Sequence, residues 1–76
     1  MKQLEFELCG EFIPLDSLLK ATGLADSGGR AKTMVSEGMV QVDGQPESRK
    51  TAKIRAGQVV TVDNVRISVV TEKPRD

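Results

Sequence analysis

The sequence predicts an α+β fold in which a helical hairpin packs on a small, mostly antiparallel sheet of about four to five short strands. Three observations support this prediction. Segments near both ends of the 76-residue chain alternate apolar and polar residues, as half-buried strands do. Two segments between them have helical spacing, and a glycine follows each. An Asp-Gly pair then follows a short alternating segment, which indicates a tight hairpin.

The length and composition are those of one small globular domain. A chain of 76 residues buries only about 60–65% of its unfolded surface and has no room for a second core. Hydrophobic residues make up 38% of the chain and charged residues 29%, which excludes disordered and fibrous classes. We therefore expect a single domain over residues 1–76, with its core in about 3–70 and a frayed tail at 71–76.

The reactive side chains argue against catalysis and metal binding. There is no histidine and a single cysteine, Cys9, so Cys/His zinc sites and Cys–His nucleophile pairs are excluded. Because P-loop and dinucleotide fingerprints are also absent, we predict no enzyme, no cofactor and no metal. Cys9 is predicted to be a reduced core or edge residue. No apolar run approaches the roughly 20 residues of a membrane span and no signal-peptide core is present, so we expect a cytoplasmic protein.

The first half of the chain predicts one strand followed by a helix. Residues 3–8 alternate as a half-buried strand. A first helix is predicted to begin at Pro14, which the first helical turn tolerates, and to end before Gly23. Leu24 is placed to contact Leu19, as in a Schellman cap.

A second helix is predicted over residues 28–37, with its apolar side chains on one face and Gly38 as its stop signal. Met34 and Met39 are predicted to be core residues. A short joint connects this helix to the first, so the two helices are predicted to form a helical hairpin.

The second half predicts strands joined by tight turns. Asp43-Gly44 predicts a type I′ turn, and Pro46 indicates that the returning strand is an edge or bulged strand. The basic connector, which we define as residues 49–55, has Ile54 as its one large apolar residue, predicted to plug the core. The strands predicted here are 40–42, 45–50, 59–62 and 65–69.

The start of the second helix breaks two local rules together. Ser27 is a good N-cap, yet Gly28 and Gly29 follow it, and each glycine inside a helix costs about 1 kcal/mol relative to alanine. The first charges after them, on Arg30 and Lys32, are positive where the helix dipole prefers negative charge. A bound phosphate would reconcile these features, because it needs free amides and nearby cations. Two alternatives stay open: the glycines let the helices cross closely, or the helix begins only at Arg30.

Acidic and basic residues are segregated along a chain of zero net charge. Residues 26–57 carry six basic and four acidic side chains, whereas residues 1–25 carry two basic and four acidic ones. The folded molecule can therefore present a basic face. Its aromatic residues are Phe6 and Phe12, too few for RNA recognition by stacking on a sheet, which leaves contacts to the nucleic-acid backbone.

The chain contains, in order, an LD-x-LL helix, the segment R-A-K-x-x-V-x-x-G-x-V-x-V-D-G, the basic connector and G-Q-V-V-x-V. Together these motifs resemble the ribosomal S4-type RNA-binding domain, with its S4-like (alpha-L) fold, over about residues 13–62. The Ser27-Gly28-Gly29 joint, with Glu47, Arg49 and Lys50 after the turn, is most similar to the small stand-alone bacterial subgroup of YbcJ type.

The resemblance implies that the helical hairpin and the loops beside it bind structured RNA, with the sheet as support. Arg30 and Lys32 match basic positions of that surface, and so do Arg49 and Lys50. We also expect a monomer without membrane contact, with ribosomal or ribonucleoprotein components as further partners. The candidate RNA-binding residues are Ser27, Gly28, Gly29, Arg30, Lys32, Arg49, Lys50, Lys53 and Arg55.

The sequence departs from the family pattern at two positions. The family commonly has arginine where Gly28 stands and often has arginine where Pro14 stands, so two phosphate contacts of the family are missing here.

A second function stays open beside RNA binding. The cations can be solvated loop residues, or their stems can cover apolar surface. The protein would then be a small protein–protein interaction module or adaptor, in which the acidic N-terminal region meets a basic partner.

Overall fold

The structure is a computed structural model that describes residues 2–71. Within these residues, two helices accompany a five-stranded sheet and a separate two-stranded ladder, so the predicted α+β class is confirmed. No helix in this part of the chain is long and apolar enough to cross a membrane. The elements are β1 (Lys2–Leu8), β2 (Ile13–Pro14), α1 (Leu15–Ala21), α2 (Gly28–Ser36), β3 (Val40–Val42), β4 (Gln45–Pro46), β5 (Lys53–Ile54), β6 (Val59–Val62) and β7 (Val65–Thr71).

The five-stranded sheet has the order β1-β7-β6-β3-β4. The pairs β3–β4, β3–β6 and β6–β7 are antiparallel, whereas β1 runs parallel to β7. The first and last strands are therefore neighbours, with Lys2 beside Val65 and Leu8 beside Thr71. The sheet is mostly antiparallel as predicted, but the parallel pairing of the two ends was not predicted from the sequence. The predicted frayed tail over 71–76 is wrong at Thr71, which is the last residue of β7 and pairs with Leu8. Residues 72–76 of that tail lie outside the described residues.

One hydrophobic core joins the helices to the sheet. Alternate residues of each long strand point into it, because side chains along a strand alternate between the two faces. Ile54 of the basic connector is 1% exposed, so its predicted role as a core plug is confirmed. Cys9 is exposed rather than buried, and it directly follows β1, an edge strand of the sheet. The helices contribute Leu15, Leu18, Leu19, Ala31, Met34 and Val35 to the core.

The end of α2 has the predicted Schellman geometry. Gly38 has a positive φ of 76° and donates its N–H to the Val35 carbonyl at 3.1 Å. The Met39 N–H donates to the Met34 carbonyl at 3.2 Å. Met34 is buried as predicted, whereas Met39 is half-buried and packs against the core.

The two ends of α1 differ in detail from the prediction. The helix begins at Leu15, and Pro14 is its extended N-cap rather than part of the first turn. Gly23 ends the helix with a φ of 80°, as predicted. The Leu19 carbonyl accepts from the Ala25 N–H at 3.1 Å. Leu24 is half-buried and packs against the core that contains Leu19, and its predicted contact with Leu19 stays a prediction. Ala25 itself enters the core, at 3% exposure.

The Asp-Gly hairpin is confirmed, but its returning strand is shorter than predicted. Asp43 and Gly44 have φ values of 54° and 83°, as a type I′ turn requires. The predicted strand over 45–50 is wrong beyond Pro46, where β4 ends. Proline has no N–H to donate to a ladder, so it belongs on an edge such as β4. After one more backbone bond from Glu47 to β3, the chain leaves the sheet and enters the basic connector.

Candidate functional site

The N-terminus of α2 is built as predicted. The Ser27 hydroxyl oxygen accepts a hydrogen bond from the Arg30 N–H at 3.1 Å, and the helix begins at Gly28. A Cβ at Gly28 would meet no atom within 4 Å, and one at Gly29 would meet only the Ser27 hydroxyl at 3.9 Å. Neither a later helix start nor a close helix crossing therefore explains the two glycines. Their amides lie at an exposed helix end, where an intrahelical acceptor is absent by geometry.

The basic connector is fastened to the first turn of α1. The Leu15 N–H donates to the Ala52 carbonyl at 2.9 Å, and the Asp16 N–H donates to the Lys50 carbonyl at 3.0 Å. Because α2 packs on α1 through the shared core, the connector and the helical hairpin form one unit. Every candidate residue of this unit is exposed, namely Ser27, Gly28, Gly29, Arg30, Lys32, Arg49, Lys50, Lys53 and Arg55.

A short ladder that was not predicted from the sequence also anchors the connector. In this antiparallel β2–β5 pair, Ile13 lies opposite Ile54 and Pro14 lies opposite Lys53. Next to the ladder, the Lys53 ammonium lies 5.1 Å from the centre of the Phe12 ring. Phe12 was not among the predicted site residues. Its position just before the LD-x-LL helix, outside the alternation of β1, was the sequence signal that could have marked it.

Arg49 is oriented by an acidic neighbour. Glu47 Oε1 accepts from the Arg49 backbone N–H at 3.0 Å and from its Nε at 3.3 Å. The hydrogen bond from the Arg49 backbone N–H is the main reason why the pKa of Glu47 lies below its ordinary 4.5. The Arg49 side chain is 78% exposed, so its remaining guanidinium N–H groups can donate to a partner. The basic connector itself contains no acidic residue. Glu47 therefore supplies an anion beside it and orients one of its cations, Arg49.

A surface concavity of about 350 Å³ lies on the connector. Its lining combines two cationic side chains, Arg49 and Lys53, with Thr51 and Ala52. This donor set suits an anion such as phosphate, because every charged group in it is positive. Among residues 2–71 no cluster of three or more His, Cys, Asp or Glu side chains could hold a metal ion.

Asp43 connects the β3–β4 turn to the end of the connector. Its Oδ1 accepts from the Val59 N–H at 3.0 Å, and its Oδ2 accepts from the Gln58 side-chain amide at 3.2 Å. Gln58 Oε1 in turn accepts from the Arg55 N–H at 2.7 Å. From the sequence, Asp43 was predicted to be a turn residue, whereas its carboxylate also holds the loop that carries Arg55.

Asp43 is expected to stabilise the protein more at neutral pH than in acid. The Val59 N–H, followed by the Gln58 amide, lowers the pKa of Asp43 from its ordinary 3.8 in the folded state. Its contribution is therefore fully present above the unfolded value and is lost as the pH falls through the lower folded value. We expect Asp43→Asn to lower Tm at neutral pH, and the difference from wild type to shrink below pH 3.8.

Asp63 offers a matched control, because it also begins a tight turn after a strand and has a positive φ of 53°. The melting temperature of Asp63→Asn is expected to equal that of the wild type both at neutral pH and below pH 3.8. Equal shifts in the Asp43 and Asp63 variants would contradict a specific role for the Asp43 carboxylate.

The sequence is similar to a known domain family and to individual bacterial proteins. Residues 6–70 match the S4 domain family. The protein YbcJ of Escherichia coli (strain K12) is 45% identical over 58 residues, which are 76% of this chain and 83% of YbcJ. A Bacillus subtilis (strain 168) protein named "Probable ribosome maturation protein RlbA" is 38% identical over 53 residues, which are 70% of this chain and 75% of that protein.

A solved structure has the same architecture. The solution structure of Escherichia coli YbcJ superposes with a TM-score of 0.63 at 38% sequence identity. The match covers 92% of this chain and 87% of that one. The YbcJ structure is described as having an alpha-L motif involved in RNA binding.

Proposed function

Because the chain belongs to the S4 domain family, we propose that it binds structured RNA through contacts to the phosphate backbone. The observation that carries this proposal is the attachment of the exposed basic connector to the first turn of α1, which adds its cations to the helical hairpin. The alpha-L motif described for the Escherichia coli relative supports it. The family and the S4-like fold predicted from the sequence are confirmed.

The charges of the proposed surface favour recognition of RNA by its shape rather than by its sequence. Among the described residues Arg49 makes an ion pair, with Glu47, and the other connector cations have none. Cations on exposed side chains attract phosphates and carry no base information by themselves. The bare amides of Gly28 and Gly29 add an anion-binding end to α2 beside Arg30. We therefore propose weak sequence preference and a stronger dependence on RNA fold.

We expect RNA affinity to fall steeply with salt. If about four phosphates are neutralised, log K should fall with log salt at a slope of roughly −3 to −4, because each contact releases condensed counterions. Fluorescence anisotropy with a labelled RNA hairpin, repeated across a salt series, measures the slope. A slope near zero with affinity intact at high salt would contradict phosphate-backbone binding.

We propose that residues 1–76 act as one monomeric, non-catalytic domain in the cytoplasm. The relative named for ribosome maturation supports RNA of a ribosomal or other ribonucleoprotein particle as the target.

A second candidate function is binding of a basic protein segment. It is favoured by the edge strand β1, where Glu5 and Glu7 are exposed. An extended peptide can add to such an edge, and its cations would face these carboxylates. Recovery of a protein partner together with a lack of salt-dependent RNA binding would favour this function over the first.

A further inference from the structure

Phe12 is the one large hydrophobic side chain of the described residues that is exposed, with 38% of its surface accessible. Phe6, the other aromatic residue, packs against the core. Pairing of Ile13 with Ile54 in the β2–β5 ladder fixes the segment that carries Phe12 beside the connector. The fold thus places an aromatic ring at the surface where the cations of the proposed RNA-binding site lie.

Lys53 joins this ring to the concavity on the connector. Its ammonium lies 5.1 Å from the Phe12 ring centre, and the same residue lines the concavity together with Arg49 and Thr51. One ligand can therefore reach a ring, two cations and a hydroxyl at adjacent positions. A nucleotide has the matching chemistry, because it joins a flat base to an anionic phosphate.

We propose that Phe12 and this concavity form a subsite for one unpaired nucleotide of the bound RNA. Its base stacks on Phe12, and its phosphate lies between the cations of Arg49 and Lys53. Glu47 assists by holding the Arg49 guanidinium in place through Nε, which leaves the other N–H groups for the phosphate. The subsite rests on the proposed RNA-binding function and adds to it the kind of RNA element that is recognised.

Binding of the nucleotide requires Lys53 to leave the ring. The exchange is favourable because stacking of a base on an aromatic ring is worth more than an exposed cation–π contact. The Lys53 ammonium also gains a charged partner, because it can then donate to a phosphate oxygen of the nucleotide. In the free protein, Lys53 covers the ring and reduces the apolar surface that meets water.

The subsite separates two RNAs that phosphate contacts alone do not distinguish. A base inside an uninterrupted duplex is stacked on its neighbours, whereas a bulged or loop nucleotide can leave the stack. The protein should therefore prefer a hairpin with a single-nucleotide bulge over the same hairpin with an uninterrupted stem. The identity of the bulged base should matter little, because every base has a flat face to stack.

The test compares the two hairpins with the wild type, Phe12→Leu and Phe12→Tyr. Removing one stacked base contact corresponds to a loss of about 5-fold or more in affinity, so Phe12→Leu should lose that much for the bulged RNA and keep its affinity for the uninterrupted one. Phe12→Tyr keeps the ring and should retain the preference. A thermal melt checks that Phe12→Leu is folded.

Nuclear magnetic resonance of the unaltered protein gives an independent measurement. Stacking under a base should move the Phe12 ring protons upfield with the bulged RNA and not with the uninterrupted one. Equal affinities of the wild type for both RNAs, or a Phe12→Leu loss that is the same for both, would overturn the subsite while leaving salt-dependent RNA binding in place. Failure of the wild type to bind either RNA would instead overturn the proposed function and the subsite together.

Discussion

Replacing Gly29 with glutamate is expected to weaken RNA binding while it stabilises the folded protein. A Cβ at Gly29 meets only the Ser27 hydroxyl oxygen at 3.9 Å, so the new side chain fits without a clash. Glutamate should gain about 0.5 kcal/mol in helix propensity over glycine, and its charge at the helix N-terminus should add about 0.3–1 kcal/mol. The same carboxylate would stand where the proposed site holds a phosphate. We expect an affinity loss of about 10-fold or more, as for one charge-assisted contact.

Gly29→Gln is the matched control, because glutamine has nearly the same size and no charge. It should also raise the melting temperature, through propensity alone, and should lose much less affinity than Gly29→Glu. Thermal melts beside anisotropy titrations give both quantities. A fall in stability for both variants would show that the glycines have a packing role, and unchanged RNA affinity of Gly29→Glu would remove the α2 N-terminus from the binding surface.

Changing Arg49 and Lys50 together to alanine should reduce RNA affinity by about 100-fold or more, as expected for two charge-assisted phosphate contacts. The salt slope should become shallower by about 2, one unit for each phosphate that is no longer neutralised. Both side chains are exposed, so the melting temperature should change little. Arg49→Ala should have the larger single effect, because it also leaves the Glu47 carboxylate unpaired beside the RNA.

Arg66→Ala is the control for a general loss of positive charge. Arg66 is exposed on β7, and its neighbour Ile67 is fully buried, so its side chain points away from the core. It therefore lies on the sheet face opposite the helices. An equal affinity loss for Arg66→Ala would mean that net charge, rather than the connector, controls binding.

Local patterns in the sequence were sufficient to predict most elements of the fold. Alternation over β1 and β7, helical spacing with Gly23 and Gly38 as stop signals, and the turn at Asp43 all depend on residues close together in the chain. Ser27 was predicted as an N-cap for the same reason, since a hydroxyl reaches an amide three residues later. The motifs that indicated the family are likewise contiguous segments.

Tertiary structure alone decided which distant segments meet. The parallel β1–β7 pair, the β2–β5 ladder and the carboxylate bond from Asp43 to Val59 each join residues far apart in sequence. Such pairings depend on strand register and on the core that forms between the layers, and neither has a local sequence signature. The position of Phe12 beside Lys53 followed from the β2–β5 pairing. The position of Phe12 outside the alternation of β1 was a sequence signal, but its contact with the connector exists only after β2 has paired with β5.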